Sequence, residues 1–345
     1  METERIVLNE ARNVSLTAYL QPVGGEFNGI GERPGLFPPL CQVQRGGCPG
    51  HRGKAAGDPQ RYKGGLNMSA LDDFKKSKAF CVCVDSDGCA MDTMNIKHIR
   101  CFGPCMVDEW GLDAWREAIL DRWNVINLFS GTRGINRFKG LAMALGEINA
   151  QYTPVDGVEE LIDWAAKAPE LSNDAVKQEL DRHPIFRKAL DWSIAVNKAI
   201  TALPQEEVKP FEHVREALAA AHKVADVVVV SSANPEAVRE EWKRFGLIED
   251  VDLLCTQEMG SKAYCISRLC EKGYGRENIL MCGDAPGDDK AAEENGVLYF
   301  PILVSHEAES WQRFLDESLD RFVKGAYAGE YQAERRAAFN RNLGL

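Results

Sequence analysis

From residue 79 onward, short runs of mainly apolar residues recur at wide intervals: 79–84, 226–230, 251–255, 279–282 and 297–302. They are continuously apolar rather than alternating, the pattern of strands buried on both faces. Helical patterns separate the later runs. Asn234 and Pro235 form an N-cap and first-turn pair, and Gly246 closes that helix after Trp242 and Phe245. A second helix is predicted over 261–272, with Tyr264, Ile266 and Leu269 on its apolar side and Gly273 at its end. Strands alternating with helices predict a doubly wound α/β sheet built with right-handed crossovers.

The long stretch between the first and second runs reads as helix. Trp110, Trp115, Ile119 and Trp123 recur at near-helical spacing, as do apolar positions in 158–166 and 185–200. An insert of that size is a second domain rather than a loop. The tail, 307–343, is also predicted to be helical, with Trp311, Phe314, Leu315, Leu319 and Phe322 on one stripe.

Composition changes this picture at the start of the chain. All the glycines and prolines of the first 70 residues lie in 22–65, where they make up about 41% of positions. That exceeds the ~25–30% at which a disordered reading becomes the default. Residues 1–12 are charged and lack the apolar core of a secretory leader, so the 11 cysteines read as reduced cytoplasmic thiols. The resulting division is an irregular extension over 1–68, a discontinuous core over 69–93 and 206–345, and a helical insert over 94–205. At 345 residues, with 41 basic and 52 acidic side chains, the net charge is −11. Such an excess repels phosphate backbones and anionic lipid, which argues against nucleic acid or membrane as partners. A small anion is still bindable where a metal or basic residues reverse the sign locally.

The candidate chemistry sits at the strand ends. The first run leads into Asp85-Ser86-Asp87-Gly88-Cys89, two carboxylates at i and i+2 where open α/β sheets bind ligands. A hard, all-oxygen site of this kind suits magnesium. The second run leads into Ser231-Ser232-Ala233-Asn234, hydroxyls beside a helix start suited to an anion. Gly260-Ser261-Lys262 brings a positive charge to another helix start. The fourth run leads into Gly283-Asp284-Ala285-Pro286-Gly287-Asp288-Asp289, a second acidic turn.

In this order, these four segments resemble the haloacid dehalogenase-like hydrolase superfamily, in its branch of small-molecule phosphatases. The resemblance covers about 69–345 and implies a Rossmann-like core with a mobile cap, here the helical insert. By that resemblance Asp85 is the nucleophile that forms an aspartyl-phosphate. Asp87 is the general acid and base. Ser231, with Ser232 as second candidate, and Lys262 bind the phosphoryl group. Asp85, Asp284, Asp288 and the main-chain carbonyl of Asp87 hold Mg2+, with Asp289 the alternative to Asp288. An acid at position 87 favours phosphatases or phosphomutases over dehalogenases, which need no leaving-group acid there. The expected reaction is hydrolysis of a small phosphorylated metabolite. A phosphomutase of the beta-phosphoglucomutase type, or a non-catalytic small-molecule binding module, is the alternative.

Three further readings concern single segments. In 130–139, Arg133 and Arg137 are candidates to face the site and contact a polar or acidic leaving group. Cys89, inside the first turn, is a candidate thiolate stabilised by the nearby metal and lysine. Cys101 with Cys105, and His51 with Cys41 and Cys48, are incomplete as metal sites, so zinc is not expected. Residues 14–20 and 32–35 look like the opening strands of an acetyl-esterase-type α/β hydrolase. No G-x-S-x-G nucleophile turn occurs anywhere in the chain, so the segment reads as a remnant or a misplaced start that contributes nothing to catalysis.

Overall fold

The computed structural model describes residues 68–345; the Gly/Pro-rich extension and its esterase-like segment lie outside the described residues. Five strands, β1 (Phe80–Val84), β2 (Ala225–Val230), β3 (Leu253–Cys255), β4 (Ile279–Gly283) and β5 (Leu298–Pro301), pair throughout in parallel in the order β3-β2-β1-β4-β5. Each falls within one residue or two of an apolar run, because a strand covered on both faces excludes polar side chains from both. The doubly wound α/β class is therefore the observed one.

Alternate residues of each strand serve opposite layers. Val82, Val84, Val227 and Val229 join one core with Trp242, Trp311 and Phe314, while Cys81, Cys83, Val228 and Val230 join the other with Ile266 and Tyr274. The one acid within these five strands, Asp226, is fully buried and accepts hydrogen bonds from the Ser77 and Lys78 amides and from the Ser77 and Tyr274 hydroxyls. Four donors offset its desolvation, which is how an aspartate fits an apolar run.

Residues 94–201 form helices, one three-residue turn at Asp113–Trp115 and connecting loops around a third, separate core. Its members include Phe102, Trp123, Phe138, Trp164, Phe186 and Trp192. These aromatics are buried packing residues of that core. The first helical stretch opens with Met94–Lys97 and winds through a π-helical turn at His98–Phe102.

The tail departs from the single predicted helix. It is helical over 307–323, breaks between Gly325 and Gly329, both with φ in the left-handed region, and resumes as Glu330–Leu343. Trp311, Phe314, Leu319 and Phe322 cover one face of the sheet, with Leu315 half-buried beside them. Phe339 and Leu343 of the second segment cover the other. A straight helix cannot reach both layers, so the chain turns. Among the described residues, no helix is long and apolar enough to cross a membrane.

Candidate active site

The connections from β1 and β4 leave in opposite directions, so the crevice between these neighbours is the topological switch point of the sheet. Asp85 follows β1 and Asp284 follows β4, one on each side of that crevice. The β1 turn is tied down by the Ser86 carbonyl, which accepts the amides of Ala90 and Met91 at 3.0 and 2.8 Å. Two buried indoles brace it: Trp242 donates to the Ser86 hydroxyl at 2.9 Å, and Trp311 to the Cys89 carbonyl at 2.9 Å.

The β4 turn is shaped by a helix start. Pro286 occupies the first turn of Pro286–Asn295, and Asp288 reaches back to accept the Ala285 amide at 3.0 Å. This carries Asp288 into the crevice. Ligand oxygens of Asp85, Asp284 and Asp288 all lie within 4.8 Å of one another, and all three residues are buried. Asp289, one residue further round the helix, instead forms an ion pair with Arg336 at 2.6 Å. Of the two, Asp288 is the one that joins the carboxylate cluster.

Lys262 begins the helix Lys262–Glu271, capped by Ser261, and bridges Asp85 at 2.9 Å and Asp288 at 2.5 Å. Burial works against its charge, but Asp288 and Asp85 more than compensate and push its pKa above the ordinary lysine range. Asp85 shows the reverse balance. Burial, together with Asp288 and Asp284, pushes its carboxyl well above the usual range, with Lys262 opposing. Burial likewise pushes Asp284 up, although Arg133 opposes it. Asp284 Oδ1 is buried with no hydrogen-bond partner. Crowded, desolvated carboxylates with an unsatisfied oxygen fit a hard divalent cation, which would lower these pKa values by opposite charge.

Ser231 follows β2 directly, is buried, and accepts the Ala233 amide on its hydroxyl at 3.2 Å. Ser232 is exposed. Asp87, two residues after Asp85, is half-buried. Burial pushes its pKa up, but Lys97 at 2.7 Å and the Thr93 hydroxyl outweigh this and hold it below the usual carboxylate range. Neither Thr93 nor Lys97 was singled out by sequence. Their only signal is position: Lys97 ends the short helix that follows the Asp87 turn, so its side chain can fold back on that turn.

The two arginines of 130–139 part company. Arg133 is buried and donates Nε to Asp284 Oδ2 at 2.7 Å and Nη1 to the Leu128 carbonyl at 2.8 Å. It therefore meets a carboxylate of the crevice. Arg137 turns into the helical insert, donating to Ser193 Oγ and Asn197 Oδ1 and lying 5.0 Å from the Phe102 ring centre. The nearby His98 is pushed down to about 3 by burial and by Arg133, so its imidazole is neutral.

The thiolate expectation for Cys89 is overturned. Its side chain is fully buried, and burial, Asp284 and Asp85 push the thiol well above its ordinary pKa. Its burial is that of a small apolar group.

Gly88 allows the two turns to approach. It holds φ +84, and a Cβ there would lie 2.6 Å from Asp284 Oδ2 and 2.7 Å from Arg133 Nη2. Gly88→Ala is expected to displace Asp284 and to cost roughly 1–3 kcal/mol in stability. The check is denaturant unfolding together with a divalent-cation titration, in which the variant should bind more weakly.

Residues 147–301 match the family model described as haloacid dehalogenase-like hydrolase. The match includes Ser231, Lys262, Asp284 and Asp288, and begins after Asp85 and Asp87. No curated protein matches the chain. Among solved structures, a candidate phosphoglycolate phosphatase from Lactobacillus delbrueckii subsp. bulgaricus is 14% identical, covering 73% of this chain and 100% of that one, with a TM-score of 0.45. A haloacid dehalogenase-like family protein from Streptococcus pneumoniae is 12% identical, covering 68% and 90%, TM-score 0.37. A candidate beta-phosphoglucomutase from Thermotoga maritima is 15% identical, covering 64% and 84%, TM-score 0.39.

Proposed function

We propose that this chain, whose residues 147–301 match the haloacid dehalogenase-like hydrolase model, is a magnesium-dependent phosphatase of that family, acting on a small phosphorylated metabolite in the cytoplasm. The observation that carries the reading is the convergence of Asp85, Asp284 and Asp288 around Lys262 at the switch point of the sheet. We read residues 94–205 as the cap over that crevice.

Asp85, Asp284 and Asp288, with the Asp87 carbonyl, would hold the cation. When bound, it supplies positive charge that keeps Asp85 ionised and offsets the charge of the phosphoryl group. Asp85 attacks phosphorus. The new bond joins its carboxylate oxygen to phosphorus, and the ester oxygen leaves with a proton from Asp87. Water then attacks phosphorus, Asp87 takes its proton, and Asp85 is released together with inorganic phosphate. Lys262 and Ser231 hold phosphoryl oxygens during both steps.

The Lys97 pairing bears on the two roles of Asp87. It keeps the group a carboxylate, the state that accepts a proton from water. Donation in the first step requires Asp87 first to take up a proton from solvent, against the hold of Lys97, and that proton then goes to the leaving oxygen. The test is to quench the protein with acid during turnover of an aryl phosphate and to analyse its peptides by mass spectrometry. The peptide containing Asp85 should carry one phosphoryl group; phosphorylation elsewhere, or none under burst conditions, would refute the covalent step.

A further inference from the structure

We propose that the cation site is closed from the helical insert by Arg133, and that this arginine competes with the cation. Cation loading and seating of the 130–135 loop then oppose each other. The inference rests on the reading of Asp85, Asp284 and Asp288 as cation ligands.

Three observations carry it. Arg133 and Asp284 meet at 2.7 Å across 151 positions of sequence, with both side chains only 1% exposed. The loop is seated tightly on the β4 turn: at Gly134, with φ +70, an added Cβ would lie 2.8 Å from the Ala285 Cβ. The charges are also nearly balanced without any cation, since three buried carboxylates face Lys262 and Arg133. Arg133 thus stands in for part of the charge that a cation would bring.

A divalent ion on Asp284 Oδ1 would lie a few ångströms from the guanidinium on Oδ2. Repulsion over that distance, in a site shielded from water, exceeds a factor of ten in affinity. The opposing effect would be orientation of Asp284 by the same bond, typically worth a factor of about 10–100 for a metal's outer partners. Here that effect is small, because packing already fixes the carboxylate: Asp284 is fully buried and its Oδ2 lies against Gly88. By linkage, a cation that Arg133 weakens must in turn loosen Arg133. The loop would be seated when the site is empty and released when the cation enters.

The experiment is calorimetric titration of Mn2+ into the full-length chain without substrate, for wild type, R133Q and R133K. R133Q should bind about tenfold tighter or more, and R133K, which keeps the charge, should stay near wild type. Equal or weaker binding by R133Q, or the same tightening in R133K, would overturn the proposal. A second measurement needs no variant: Mn2+ should speed amide hydrogen exchange of the wild-type 130–135 loop, and unchanged or slower exchange would overturn it. If no protein binds Mn2+, the cation reading falls along with the proposal. If the affinity shift appears but aryl phosphate is not hydrolysed, the proposal stands and the phosphatase reading fails.

Discussion

Asp85→Asn is expected to lower aryl phosphate turnover by at least ~10^4-fold, since it replaces the attacking oxygen with an amide of the same shape. It is not expected to lower the melting temperature. In the wild type, burial and the neighbouring Asp288 and Asp284 disfavour the Asp85 carboxylate, and the amide removes that repulsion. Lys262 keeps its second partner, Asp288. Activity and stability should therefore separate, the signature of a residue selected for chemistry. Parallel measurement of turnover and thermal unfolding checks this. A variant that is both inactive and unfolded would leave Asp85 as a folding residue instead.

Lys262→Met is expected to damage both properties. It removes the cation bridging Asp85 and Asp288 and leaves buried carboxylates without their main compensation, at a cost of roughly 3–5 kcal/mol. Turnover should fall as well, because the proposed phosphoryl site loses the charge of Lys262. The deficit has a defined pH dependence. The pKa of Lys262 is raised in the folded protein, so its contribution is fully present below the ordinary lysine pKa of about 10.4 and is lost only as pH climbs beyond that. The carboxyls of Asp85 and Asp284 are also raised, so on acidification they take up protons earlier than ordinary carboxylates do. The stability gap between wild type and variant should therefore shrink as pH falls from 8 toward 5. Denaturant unfolding across that range checks it; a gap that widens on acidification would show that the lysine does not act by neutralising these acids.

Much of this arrangement is legible in the sequence because an apolar run followed by acids or hydroxyls marks both the strand and its carboxyl end. Asp85 and Ser231 follow such a run directly, and Asp284 follows one after a single glycine. What escapes is whatever depends on contacts across the fold. Lys97 lies in a stretch that reads only as the start of a helical insert, and its pairing with Asp87 depends on a side-chain path seen only in three dimensions. Arg133 is recognisable as a basic residue near a glycine turn, yet its partner proves to be a carboxylate far along the chain. Asp288 and Asp289 are equivalent on a line; helical rotation separates them, sending one to the crevice and the other to Arg336. The tail reads as one helix because its apolar positions keep helical spacing, and only the need to cover both faces of the sheet divides it.

The account turns on a cation-assisted attack by a buried carboxylate, and the steady-state hydrolysis of a generic aryl phosphate, before and after removal of divalent ions, tests it most directly. Turnover should require magnesium, vanish on chelation and return when magnesium is restored. Full turnover in the chelated protein, or none with magnesium saturating, would contradict it.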